Sequence, residues 1–177
     1  SSAWRMDEIA ADLVDPPRNR VEFSVLLTRM MGGYGDLFRS HKIAASVNAD
    51  NNVVVRAGED LLETVIENLV ENAVTFSPPG GSISIGLHVL KSHAVLTVED
   101  QGPGVPSEDL ERIFERYYSH RPADQQNDDP NGGRQPRHFG IGLWIVRRNM
   151  EAIGGTAIAE NTGDGGLKVT ARLPVAR

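Results

Sequence analysis

Two runs between Ser82 and Val98 constrain this chain more than any other feature. Ile83, Ile85, Leu87 and Val89 occupy every second position of Ser82–Leu90, and Ala94, Leu96 and Val98 repeat the alternation after Lys91, Ser92 and His93. Side chains of a strand point to opposite faces in turn, so each run gathers its apolar series on one face. The chain must therefore pair these strands in a sheet that is dry on one side, and supply helices to cover that side.

The helices are legible from their period. Over Glu59–Phe76, Leu62, Val65, Ile66, Leu69, Ala73 and Phe76 form one apolar stripe, and Ser77-Pro78-Pro79-Gly80-Gly81 ends it. Residues 21–38 predict another helix from Val25, Leu26, Met30 and Leu37, ending near Met31 because Gly32, Gly33 and Gly35 follow. Residues 107–114 predict a short helix capped by Ser107, and residues 140–153 a longer one closed by Gly154-Gly155. Residues 43–47 and 53–55, separated by Asn48-Ala49-Asp50-Asn51-Asn52, predict a hairpin. Residues 156–159 and 167–173 predict the last two strands. The expected fold is an α/β two-layer sandwich: a mixed, mostly antiparallel sheet of about five strands plus a small hairpin, packed on about three helices on one side.

With 177 residues, one domain is expected, and 18 Lys plus Arg against 24 Asp plus Glu give a net charge of -6 that disfavours nucleic acid as a partner. The chain has no cysteine, which excludes disulfides and thiolate metal sites and fits a cytoplasmic domain. No apolar run approaches the ~20 residues that cross a bilayer, and residues 1–11 lack the pattern of a signal peptide.

Three places carry chemistry. On Glu59–Phe76 a second stripe, Asn68, Glu71, Asn72 and Thr75, follows the helical spacing. A solvated face would favour Lys, Arg and Glu, whereas amide oxygens suit a hard cation such as Mg²⁺. The second strand of the alternating pair runs into Glu99, Asp100, Gln101, Gly102, Pro103, Gly104 and Val105. A carboxylate at a strand end accepts a hydrogen bond from an exocyclic amine and repels a carbonyl, which selects adenine over guanine, and the glycines let the backbone approach a flat ligand. The third is Phe139-Gly140-Ile141-Gly142-Leu143, where a helix start offers N–H groups and a positive dipole end to phosphates. Ile145 stands where a dinucleotide fingerprint needs its third glycine, and no P-loop is present.

Four ordered motifs carry a family resemblance: N-L-V-E-N-A at residues 68–73, D-Q-G-P-G at 100–104, I-F-E-R-Y-Y at 113–118 and G-I-G-L at 140–143. They resemble the asparagine, first glycine, phenylalanine and second glycine boxes of the histidine kinase catalytic domain, a branch of the gyrase, Hsp90, kinase and MutL ATPase superfamily. The resemblance extends over residues 21–174 and implies a Bergerat-type ATP-binding fold. It implies that Asn72 ligates Mg²⁺, that Asn68 lies beside the phosphates, and that Asp100 holds the adenine amine. Arg116 and Arg121 are the implied basic residues for the γ-phosphate, catalytic together with Asn68 and Asn72. Glu71, Thr75, Gly102, Gly104, Val105 and Tyr117 complete the implied nucleotide contacts in or next to the first three motifs, with His138, Phe139, Gly140, Ile141, Gly142 and Leu143 in or next to the fourth.

The hydrolytic relatives carry a water-activating glutamate where this chain has Asn68, which points to phosphoryl transfer over hydrolysis. The sequence departs from the family pattern at Thr75, where Lys or Arg is common, at His138 in place of a glycine, and at Lys168 in place of Thr or Ser. The alternative expectation is a catalytically weakened nucleotide-sensing module of the same superfamily. None of His41, His88, His93, His120 and His138 has the phosphoacceptor context. The expected acceptor is a histidine on a helical dimerisation and phosphotransfer domain of the same parent protein, dimeric and held in a bacterial inner membrane, with a response regulator downstream. Residues 1–17 are expected to be the remnant of that helical domain and its linker, and residues 18–177 the catalytic domain. Residues 119–137, with no aliphatic side chain larger than that of Ala123, are expected to be a lid over the nucleotide.

Overall fold

The computed structural model describes residues 18–116, 118 and 142–177. The expected remnant at residues 1–17, the lid segment 119–137, and Tyr117, Arg121, His138, Phe139, Gly140 and Ile141 lie outside the described residues. In chain order the elements are β1 (Asn19–Glu22), α1 (Phe23–Gly32), α2 (Gly35–Ser40), β2 (Ala44–Ala49), β3 (Val54–Ala57), α3 (Glu59–Phe76), β4 (Ser82–Leu90) and β5 (His93–Glu99). Two 3-10 turns (Ser107–Asp109 and Arg112–Phe114), α4 (Gly142–Ala152), β6 (Thr156–Asn161) and β7 (Leu167–Pro174) follow.

The alternating pair is the centre of the molecule. β4 and β5 pair antiparallel through a turn in which Lys91 and Ser92 both take positive φ, 49° and 64°, as a two-residue hairpin turn requires. The five-stranded sheet has the order β2-β4-β5-β7-β6, with β2 parallel to β4 and every other pair antiparallel. Ile83, Ile85, Leu87, Ala94, Leu96, Val98, Val169, Ala171 and Leu173 are buried on its inner face together with the apolar stripes of α3 and α4. This is the mixed, mostly antiparallel two-layer sandwich expected from the sequence.

Three local expectations are corrected. Residues 43–47 and 53–55 do not form a hairpin with each other: β2 joins the edge of the main sheet beside β4, while β3 pairs antiparallel with β1 in a separate two-stranded sheet. Both runs have strand character, but partner choice is set by which apolar surface each can cover, and Val53, Val55 and Ala57 are fully buried whereas β2 is almost entirely exposed. The first helix starts at Phe23, because Val21 and Glu22 belong to β1 and the Glu22 carboxylate caps the helix by accepting from Val25 N at 2.8 Å. It ends at Gly32, one residue past the expected stop, and residues 35–40 form a separate short helix. Residues 107–114 form two 3-10 turns with no side-chain cap at Ser107.

Candidate functional site

The site is built where the C-terminal half of α3 meets the loop after β5. Glu59 and Asp60 in the first turn of α3 complement the positive end of its dipole, and the apolar stripe Leu62, Val65, Ile66, Leu69 and Ala73 seats the helix on the sheet. That seating fixes which way the polar stripe points. Asn68 is 5% exposed; its Nδ2 donates to Thr64 O at 2.7 Å, and its Oδ1 is buried without a partner among the described residues. A buried amide oxygen left open by the protein is an acceptor available to a bound donor or cation. Asn72 and Glu71, one turn on, are half-buried, and the hydroxyl of exposed Thr75 donates to Glu71 O at 2.8 Å on its own helix.

Asp100 follows directly on β5 with 4% exposure. Its Oδ1 accepts from Gly102 N at 2.8 Å and from Leu167 N at 3.2 Å, while its own N–H donates to Leu167 O at 2.9 Å. Among the described residues no group donates to Oδ2, so one carboxylate oxygen is fixed by backbone and the other is open. Burial raises the carboxyl above its ordinary value, against the two backbone donors that lower it.

The glycines of this loop are required by close approach. A Cβ at Gly102 would collide with the carbonyl oxygen of Phe76, so the last residue of α3 and the loop are in contact. A Cβ at Gly166 would collide with the carbonyl oxygen of Asp100. Gly104 has φ of 71°, and a Cβ there would stand 2.6 Å from Asn161 Oδ1. The amide of Gln101 also ties the loop to β4, accepting from Ser82 N at 2.9 Å.

The phenylalanine motif is held to α4 by one residue that the sequence reading did not single out. The Arg147 guanidinium lies 3.8 Å over the ring of buried Phe114, donates to Glu111 at 2.8 and 3.3 Å, and donates to Ala157 O at 2.7 Å through Nη2. It joins the 3-10 turn, α4 and β6, and holds the Glu111 carboxyl below its ordinary value. Tyr118 donates to Asp109 Oδ2 at 3.1 Å; burial first, and then this acceptor, push its phenol up to about 12. The guanidinium of Arg116 lies 5.2 Å from the ring centre of Trp144, in the first turn of α4.

The structure therefore sets Asn68, Glu71 and Asn72 on one helix whose last residue, Phe76, touches Gly102 of the loop that follows Asp100, while Gly142 and Leu143 begin α4 as buried residues. Lys168 is placed elsewhere: its register partners on the neighbouring strands are Glu99 and Glu160, an arrangement of opposite charges across the sheet. Asn161 and Arg147 were missed because their partners, Val105, Phe114 and Glu111, are distant in sequence and neither belongs to one of the four motifs.

The family described as histidine kinase-, DNA gyrase B-, and HSP90-like ATPase matches residues 57–177. The sensor protein ChvG of Agrobacterium fabrum is 34% identical over 97% of this chain and 31% of its own length, and the signal transduction histidine-protein kinase BaeS of Escherichia coli is 29% identical over 89% and 32%. The chain thus spans about a third of the length of these curated relatives. Among solved structures, a mycobacterial sensor histidine kinase, MprB, superposes with a TM-score of 0.72 at 24% identity, covering 89% of this chain and 97% of that one. The catalytic domain of histidine kinase ThkA gives 0.75 at 22% identity, covering 90% and 99%. The fold agrees with these, and the family match carries the assignment. The chain belongs to the histidine kinase-, DNA gyrase B- and HSP90-like ATPase family, among the ATP-binding catalytic domains of bacterial sensor histidine kinases.

Proposed function

We propose that this chain binds Mg-ATP and positions its γ-phosphate for transfer to a histidine carried by a separate helical domain of the same parent protein. The observation that carries the reading is Asp100: a buried carboxylate with Oδ1 locked by Gly102 and Leu167 and Oδ2 open, which matches the exocyclic amine of adenine and opposes the carbonyl of guanine. From this end the nucleotide extends along α3 toward Asn68 and Asn72.

The amide donor set fits Mg²⁺, since the open, buried Oδ1 of Asn68 and the neighbouring amide of Asn72 offer hard oxygen ligands of the kind that ion prefers. Asn72 would hold it, with Asn68 beside the phosphates. Bound there, Mg²⁺ would neutralise charge on the phosphate oxygens. The residues of the chain contribute orientation: Asp100 fixes the base, α3 presents the amides, and Arg116 and Arg121 supply positive charge near the γ-phosphate. Asn68 is neutral where a hydrolase carries a general base, so water at this point is not activated and the phosphoryl group is kept for an imidazole.

The partner domain is expected to precede residue 18, and the parent protein is read as a dimeric membrane-bound sensor with its catalytic domain in the cytoplasm. No helix among the described residues is long and apolar enough to cross a membrane. A response regulator as downstream partner is supported by the solved complex of ThkA with the response regulator TrrA, whose kinase superposes with a TM-score of 0.72 at 19% identity over 99% of this chain and 48% of that one.

Calorimetric titration tests the reading. Asp100→Ala should weaken ATP binding by about 1.5–3 kcal/mol, the range for a hydrogen bond to a charged group. GTP, which places a carbonyl at that position, should bind the native chain weakly and lose little in the variant. Equal losses for both nucleotides would refute adenine recognition by Asp100.

A further inference from the structure

We infer that Asn161 is a positioning residue of the nucleotide loop, holding Gly104 and Val105 in the shape that receives adenine. The inference rests on the adenine reading of Asp100 given above.

Asn161 ends β6, well away in sequence from the loop, and engages Val105 at both of its backbone groups. Its Oδ1 accepts from Val105 N at 3.0 Å and its Nδ2 donates to Val105 O at 2.7 Å. One side-chain amide thus does for Val105 what a neighbouring strand does for a residue in a ladder. Among the described residues, no backbone group between Gln101 and Val105 bonds to another backbone group. The N–H of Gly102 is met by the Asp100 side chain, and that of Val105 by the Asn161 side chain. The positive φ of Gly104, 71°, turns the chain between these two attachments, and its missing Cβ makes room for the Asn161 amide.

The other end of the loop leans on the same turn between β6 and β7. Thr162 organises that turn, with Thr162 N donating to Gly166 O at 2.8 Å and Gly166 N donating to Thr162 Oγ1 at 2.9 Å. Gly166 then packs against the Asp100 carbonyl, and Leu167 N reaches Asp100 Oδ1 at 3.2 Å. Residues 161–167 therefore brace the nucleotide loop at Asp100 and at Val105. Asp100 is held by a backbone bond to Leu167 as well, whereas the backbone groups of Val105 bond only to Asn161 among the described residues, with its side chain packing against the core. Removing the amide leaves the core in place and frees the loop, so a ligand must then order it on binding.

The test uses the 177-residue chain with ATP, adenosine and inorganic tripolyphosphate as competitors of a fluorescent ATP analogue. Asn161→Ala removes both bonds, and Asn161→Asp keeps the shape and the acceptor but sets a carboxylate oxygen against Val105 O. Both variants should lose about tenfold in affinity for ATP and for adenosine, as expected for roughly 1.4 kcal/mol from two solvent-accessible hydrogen bonds. Tripolyphosphate affinity and melting temperature should be unchanged. The amide proton of Val105 should exchange faster in both variants, with those of β5 unaffected. Equal loss for all three ligands, a fall in melting temperature, or native affinities would each overturn the inference. Asp100→Ala in the same assay separates the two claims. Unchanged adenosine binding there sinks the adenine reading and the inference with it. Loss there without loss in Asn161→Ala sinks only the role of Asn161.

Discussion

At the scale of the residue, the price of the site is visible in Asp100. Its carboxyl titrates above the ordinary 3.8, because burial disfavours the charge more than the N–H groups of Gly102 and Leu167 favour it. The folded chain therefore holds this proton more tightly than the unfolded chain does. The stability linked to that proton is fully present below the unfolded value and is lost as pH rises through the folded one. Asp100→Asn keeps an oxygen for Gly102 and Leu167 and removes the buried charge. Its melting temperature should exceed that of the native chain near pH 7 and approach it as pH falls through the carboxylate range, while ATP binding weakens at neutral pH. A variant less stable than the native chain near pH 7 would show that the charge is compensated within the fold. Tyr34 adds a second, half-buried acid: burial first, and then the nearby Glu67, Glu71 and Glu63 of α3, push its phenol up to about 12, so it stays neutral beside that acidic ridge.

At the scale of the element, α3 separates packing from chemistry by its period. Leu69 is 1% exposed on the apolar stripe, and Asn72 is half-buried on the polar one. Leu69→Ala should cost about 3 kcal/mol of stability by chemical denaturation, the cost of removed methylenes and an incompletely collapsed cavity. Asn72→Ala should leave stability within about 0.5 kcal/mol and abolish Mg²⁺-dependent nucleotide binding in calorimetry. Nucleotide affinity unchanged in Asn72→Ala would move the metal site off this helix. Both stripes were readable in the sequence, since an 18-residue helix with a clean period leaves little freedom in which side chains share a face. The 3-10 turns around Phe114 were read as one short helix with Ser107 as its cap, but no side-chain cap forms there, and Arg147, reaching from α4, lies over the Phe114 ring.

At the scale of the whole molecule, the chain carries a nucleotide site without an acceptor. None of its five histidines has the phosphoacceptor context. Incubated with γ-labelled ATP, this chain should bind nucleotide and acquire no stoichiometric acid-labile phosphate, whereas the complete parent protein should become labelled on a histidine. Label on the chain alone would require an acceptor within it. A complete parent that binds ATP and never labels would favour the nucleotide-sensing module, in which Thr75 in place of a basic residue has removed a contact to phosphate.

The sequence by itself determined the local structure and the family: the paired strands from their alternation, α3 and its two stripes from the helical period, the acid after the second strand from its place before the glycines, and the family from four ordered motifs. These are short-range properties, set by side-chain periodicity and by backbone geometry within a few residues. Partner choice was decided only in three dimensions. Strand character does not say which edge a strand joins, so β2 and β3, adjacent in sequence, went to different sheets according to the apolar surface each could bury. The same holds for the bracing of the site by Asn161 and Arg147. A side-chain amide or guanidinium finds a carbonyl or a ring dozens of residues away because the folded sheet brings them together, and no local pattern encodes that meeting.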